Sequence, residues 1–223
     1  DSYSLTVYVL SDVTDEEITE IMRRLNNGKP LSTKSRTLAS AKNIGSLLNI
    51  GSHKLFHEML TEKSRANKNQ AVLVVKVWTM LNRDVENISF ASKDFNPMIE
   101  NMDISDREKL ELNSVFDYIV NAHDELVENK EKDNARKLYT ETHMVSLVPY
   151  VNMAMENNIS EAMFAEFITN FYKTENDTEL YSKYAEACSN GVARSASILA
   201  RHEALGESYK EFFKMEENSE KVS

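Results

Sequence analysis

The chain has 223 residues, 41% of them hydrophobic and 28% charged, and a formal net charge of −10. That apolar fraction supports a real core in one large or two small domains and excludes a disordered protein. A single cysteine, Cys188, excludes an internal disulfide framework and any cysteine-based zinc site, and it suits a reducing cytoplasm.

Leu5-Thr6-Val7-Tyr8-Val9-Leu10 reads as one strand, followed by a turn and a helix over 14–26. Thr14 with Glu17 forms a capping-box pattern, and Ile18, Ile21, Met22 and Leu25 give that helix an apolar stripe. Asn26-Asn27-Gly28 ends it, Pro30 prevents its resumption, and Ser32 can cap the next helix. By spacing alone this is a helix–turn–helix junction. No later strand is predicted, and a lone strand leaves its backbone donors and acceptors unsatisfied. The chain is therefore expected to start partway through a larger α+β domain or to pair its strand with a partner, a second copy included.

Five glycines and three prolines are few for this length, and periodic apolar positions continue nearly throughout. The spacing predicts helices over 33–49, 53–65, 69–82, 105–128, 132–156, 160–173, 177–189 and 191–215. Residues 83–104, with Asp94 and Pro97, read as a turn-rich connection or short helices. Ser105 and Glu108 form a second capping box, opening a helix with Leu112, Val115, Phe116, Ile119, Val120, His123, Leu126 and Val127 on one face. Pro149 is expected to kink helix 132–156 or divide it in two. Met163, Phe164, Phe167, Ile168 and Phe171 form a core stripe. The tail 216–223 is expected to be disordered. The fold class is thus mainly α: residues 1–32 form a strand, helix and loop, and 33–215 a helical bundle. No apolar run approaches the ~20 residues that span a bilayer, so no membrane partner is expected.

Charge is unevenly placed. Residues 29–83 hold ten Lys/Arg against two Glu, a balance of +8, while 1–28 sum to −4 and 84–223 to −14. The block Lys29, Lys34, Arg36, Lys42, Lys54, Lys63, Arg65, Lys68, Lys76 and Arg83 is what a DNA-facing surface needs. The alternative is that these cations are solvated or pair with the acidic C-terminal half, which can itself engage a protein partner.

His53 and His57 stand one helical turn apart with Glu58 adjacent, but no third ligand can be named, so no metal and no cofactor is expected. His123 is predicted to be a hydrogen-bonded core histidine. His143 and His202 lie beside Thr142 and Arg201 without an assignable role. Trp78 reads as a buried anchor. Cys188, with no basic neighbour evident in the sequence, reads as packing.

The string YVLSDVTDEEITEIMRRLNNGKPLS resembles the second half of the ParB-like, GmrS-type domain of phage, plasmid and restriction proteins. In that family a strand, an acidic turn and a helix ending in Phe-x-Arg-Leu-Asn lead into a Gly-containing loop ending in Leu-Ser. Met22, Arg24, Leu25, Asn26, Gly28, Leu31 and Ser32 occupy those positions here. The segment GVARSASILARHEALGESYKEFF is similar to the closing helix of phage-type members, and Thr142-His143 with the apolar run after it to their central helix. The resemblance implies that residues 1–32 finish a ParB-like α/β unit, with Arg24, Asn26, Gly28 and Lys29 as nucleotide- or phosphate-contacting candidates. It also implies a DNA-related process, with Lys34, Arg36, Lys42, Lys54, Lys63, Arg65 and Lys68 as nucleic-acid contacts. Met22 replaces the usual aromatic residue, and the family's Asp-Gly-Gln-Gln-Arg signature, which works with the helix Asn in NTP hydrolysis or nuclease activity, does not occur in these 223 residues. The resemblance therefore implies a binding or regulatory module, or else part of an enzyme whose upstream motif lies outside this chain. An acidic helical scaffold is the third reading.

Overall fold

The computed structural model describes residues 32–173 and 178–215 and, ahead of them, Ser11, Val13, Thr14, Glu17, Ile18 and Ile21. The chain divides into two compact units, Asp1–Arg36 and Thr37–Ser223. In the first, Thr14 and Glu17 cap reciprocally: the Thr14 N–H donates to Glu17 Oε2 at 2.9 Å and the Glu17 N–H to Thr14 Oγ1 at 3.3 Å. Ser32 caps the next helix, its Oγ accepting the Ser35 N–H at 3.1 Å. The strand expected over 5–10, the loop 25–31 and the tail 216–223 lie outside the described residues.

Among the described residues the protein is mainly α-helical, without strands. The helices are α1 (Thr33–Ser40), α2 (Ile44–Ile50), α3 (Lys54–Met59), α4 (Glu62–Ala66), α5 (Asn69–Asn82), α6 (Ser92–Asn101), α7 (Asp106–Glu128), α8 (Lys132–Leu138), α9 (Glu141–Glu156), α10 (Glu161–Tyr172), α11 (Glu179–Ser189) and α12 (Ser195–Phe213). A 3₁₀ turn, Val85–Asn87, lies between α5 and α6. None of these helices is long and apolar enough to cross a membrane.

Three predicted helices are each divided, two of them by tertiary bonds and one by local caps. The expected helix 33–49 stops at Ser40 because Asn43 donates through Nδ2 to Met102 O at 3.0 Å and Asp103 Oδ1 at 3.2 Å, while the Lys42 N–H donates to Glu100 O at 3.0 Å. The expected helix 53–65 divides at Leu60 and Thr61, both extended. There Thr61 Oγ1 accepts the Ser64 N–H, and the Arg65 guanidinium takes the loose carbonyls of His57 and Leu60 at 2.9 and 2.7 Å. The break in 132–156 falls at Tyr139 and Thr140 rather than at Pro149, which sits inside the continuous helix α9. Tyr139 is held out of the helix by stacking on His123 at 3.8 Å and by donating its hydroxyl to Glu58 at 2.6 Å.

The centre of Thr37–Ser223 is α9, which packs against α5, α7, α8 and α12. Its Met144, Val145, Leu147, Val148, Tyr150, Val151 and Ala154 are all buried. A helix buried on nearly every side persists through a proline because its neighbours, more than its own ladder, hold it. The capping box of Ser105 and Glu108 opens α7 as predicted. Most of the α7 stripe is buried, but Val127 is 41% exposed and His123 sits half-buried at its edge, stacked on Tyr139. In α10, Phe164, Phe167, Ile168 and Phe171 are buried, whereas Met163, in the first turn of the helix, is 48% exposed.

Candidate functional site

Two features outside the plain apolar core bear on function: the cations of residues 29–83 and a polar cluster under α9, α11 and α12. Arg24, Asn26, Gly28 and Lys29 fall outside the described residues. Of the described cations, three of the block are engaged internally. Lys54 pairs with Glu58 at 3.4 Å and Asp124 at 3.6 Å, and Arg65 caps α3 as above. Lys76 pairs with Glu141 at 2.5 Å and lies over the rings of Phe90 and Phe95. Lys34 and Arg36 are exposed on α1. Lys42, Lys63, Lys68 and Arg83 are exposed and form no ion pair among the described residues. Lys68 also opens α5 from the left-handed conformation, at φ 56°. Internal contacts thus reduce the number of uncommitted cations in the block.

His53 and His57 do not act as a pair. His53 is the N-cap of α3: its Nδ1 accepts the Leu55 N–H at 3.2 Å, which leaves Nε2 to donate to Asp117 at 3.1 Å. His57 is exposed. Among the described residues no group of three or more His, Cys, Asp or Glu is arranged to hold a metal ion. Trp78 is half-buried at the edge of the core, tied by its Nε1–H to Glu108 at 2.8 Å, rather than a fully buried anchor.

The polar cluster gathers side chains from α9 to α12. The hydroxyls of Tyr172 and Tyr184 are 2.7 Å apart, and lie 3.3 and 2.7 Å from His143 Nδ1. A neutral imidazole that accepts at Nδ1 and carries its proton on Nε2 satisfies this chain of hydroxyls. Burial, with Lys137 and Arg201 adding to it, pushes His143 down from 6.5 to about 4. Next to it stands Arg201, 3% exposed. Its guanidinium donates to Ser146 Oγ at 2.9 Å, Ala187 O at 2.7 Å and Val192 O at 2.9 Å. Gly191 makes the last contact reachable: at φ 60° it turns the chain after α11 so that the Val192 carbonyl faces α12. Burial pushes Arg201 downward, and the groups acting against that are Cys188, Tyr184 and Tyr172, none of them a carboxylate. Cys188 does have basic neighbours, Arg201 and Lys137, contrary to the sequence reading. Burial outweighs them and pushes its thiol upward, so it is the protonated, unreactive form that packs here.

No family model, curated protein or solved structure matches the chain. The functional reading therefore rests on these residues and on the resemblance carried by 5–32.

Sequence reasoning reached His143 without giving it a role, and it passed over Arg201, Tyr172, Tyr184 and Ser146. One signal was present: Ile198, Arg201 and Leu205 are spaced three and four apart, so an arginine occupies a core position of α12. A charged residue on a core face asks for a partner, and its partners here are mostly backbone carbonyls that no sequence pattern marks.

Proposed function

We propose that this chain is a helical binding module of a phage- or plasmid-type ParB-like protein, whose first residues complete a ParB-like α/β unit with the strand 5–10. It works in the cytoplasm in a DNA-related process, by binding rather than by catalysis. The observation that carries the reading is the sorting of the basic block. Cations engaged internally are Lys54, Arg65 and Lys76, and those left to meet phosphate are Lys42, Lys63, Lys68 and Arg83 in one unit, with Arg36 in the other. The resemblance of residues 5–32 adds the DNA context.

Binding to a labelled DNA duplex, followed by anisotropy across a salt series, tests this. Each of Lys42→Ala, Lys63→Ala and Lys68→Ala is expected to lower the slope of log K against log salt by about 1, and reversal of all three to Glu to abolish binding. Lys54→Ala, whose charge is already neutralised, leaves the slope nearly unchanged. No binding at low salt, or full affinity in the triple reversal, removes DNA from the reading.

A second reading, an acidic scaffold for a basic protein partner, is favoured by one feature. The groove between α11 and α12 is rimmed by Glu186, Glu203 and Glu207 against the single cation Lys183.

A further inference from the structure

We propose that the cavity walled by Lys76, Thr142 and Arg201 is a binding site for one phosphate group, supplied as inorganic phosphate or as a phosphate monoester. The cavity measures about 70 Å³ and is completed by Phe90, Glu141, Val145, Val192 and Ala193. All of its walls belong to the unit Thr37–Ser223.

Arg201 brings a positive charge to the wall. A guanidinium carries five N–H donors and remains charged in proteins. Three are donated to the neutral oxygens of Ser146, Ala187 and Val192, so two have no acceptor among the described residues. The titratable groups facing it, Tyr172, Tyr184 and Cys188, are neutral at pH 7. A residue only 3% exposed thus bears a full charge with no counter-ion among the described residues. Burying a charge this way is costly unless an anion joins it.

The remaining wall suits that anion. Lys76 is 17% exposed and is held over Phe90 at 5.2 Å and Phe95 at 5.7 Å, so its ammonium is fixed at the cavity. Helix α9 begins here; its N-cap Thr140 supplies no side-chain cap, and Glu141 is the acidic residue of its first turn. The one carboxylate in the wall, Glu141, accepts from Lys76 but is 53% exposed and can turn into solvent. Arg201 alone leaves the wall one positive charge in excess. The volume is enough for a phosphate group, and none of the exposed lysines of the basic block is in the wall. The site is accordingly separate from the exposed lysines and independent of the DNA reading. Tying α12 to α9 through Ser146, and to α11 and the turn after it through Ala187 and Val192, accounts for three of the Arg201 donors, but it explains neither the other two nor the placement of Lys76.

Calorimetric titration of the whole chain with inorganic phosphate, at matched ionic strength in chloride, tests the site, with methyl phosphate and acetate as parallel arms. One saturable site is expected for phosphate. Comparable binding of methyl phosphate assigns the site to a monoester, and rejection of it assigns the site to free phosphate. Preference for acetate overturns the proposal in favour of a carboxylate. Lys76→Gln should weaken phosphate about tenfold or more, the loss of one charge-assisted hydrogen bond, and Glu141→Gln should strengthen it by freeing the ammonium. These opposite signs separate a site from bracing, and both variants leave the Arg201 hydrogen bonds in place. Saturation absent at millimolar phosphate, or equal affinity in wild type and both variants, overturns the proposal. Reversal of Lys42, Lys63 and Lys68 leaves phosphate binding unchanged, so the failure of either reading is seen apart from the other.

Discussion

Replacing Phe167 by alanine is expected to lower stability by about 3–5 kcal/mol, read as a fall in the urea midpoint at constant slope. Phe167 is 1% exposed and sits at the seam between α10 and α12. Its ring centroid lies 5.8 Å from Phe164 and 6.1 Å from Phe171 on its own helix, and 5.4, 5.7 and 5.9 Å from Tyr209, Phe212 and Phe213 on α12. Truncation removes a ring with packed neighbours on every side, and five aromatic neighbours cannot all collapse into the gap, so a cavity term adds to the lost transfer energy. Met163→Ala, on the exposed side of the same helix, should stay within about 0.5 kcal/mol. Tyr209→Phe gives a third reading of the seam. Its hydroxyl is buried without a partner among the described residues, so removing it should be neutral or stabilise by about 1 kcal/mol. A loss below about 1 kcal/mol in Phe167→Ala would mean that α12 is not part of the cooperative core. The seam also bears on the phosphate site, since α12 carries Arg201.

How much of this was legible in the sequence depends on the range of the interaction that fixes each feature. The start of α7 is set by Ser105 and Glu108, three residues apart, and its burial by a period that any window displays; the capping box forms as predicted, and six positions of the predicted stripe are buried while His123 is half-buried and Val127 exposed. The break before α2 is set by Asn43 reaching Met102, 59 residues away, and the break before α9 involves Tyr139 reaching Glu58, 81 residues away. No local pattern contains those partners. Pro149 shows the converse error: a strong local rule was overridden because α9 is enclosed by α5, α7, α8 and α12. The candidate site divides the same way. Counting charges found the basic block but not that Lys76 is paired with Glu141, 65 positions on, or Lys54 with Asp124 on α7. Arg201 stood in the open as an arginine on an apolar stripe. What made it a candidate site, a buried charge in a cavity wall with two donors uncommitted among the described residues, exists only once α9, α11 and α12 meet.

Acidification from pH 7 to about pH 4 is expected to remove up to about 3 kcal/mol of stability through His143, the equivalent of its downward shift. The sign follows from proton counts. In the unfolded chain the imidazole titrates at 6.5, whereas in the native state burial, then Lys137 and Arg201, hold it neutral down to about 4. Between those values the unfolded state binds the extra proton, so stability is complete above 6.5 and falls as pH drops through that window. Protonation would add a charge beside two cations and turn Nδ1 from an acceptor into a donor, forcing the hydroxyls of Tyr184 and Tyr172 to reverse. His202 is shifted the same way by burial, against a smaller raising effect of Glu203, and adds to the slope. Carboxylates begin to titrate near the lower end, so the range from about pH 5 to 6.5 isolates the histidines. His143→Gln should keep a polar partner for Tyr184 while flattening the stability profile across that range, as measured by urea melts at a series of pH values. NMR titration of the His143 ring in the folded protein gives the direct reading. A folded-state midpoint near 6.5, or an unflattened profile in the variant, would show that the Tyr172–Tyr184 pocket admits the proton and that acid lability arises elsewhere.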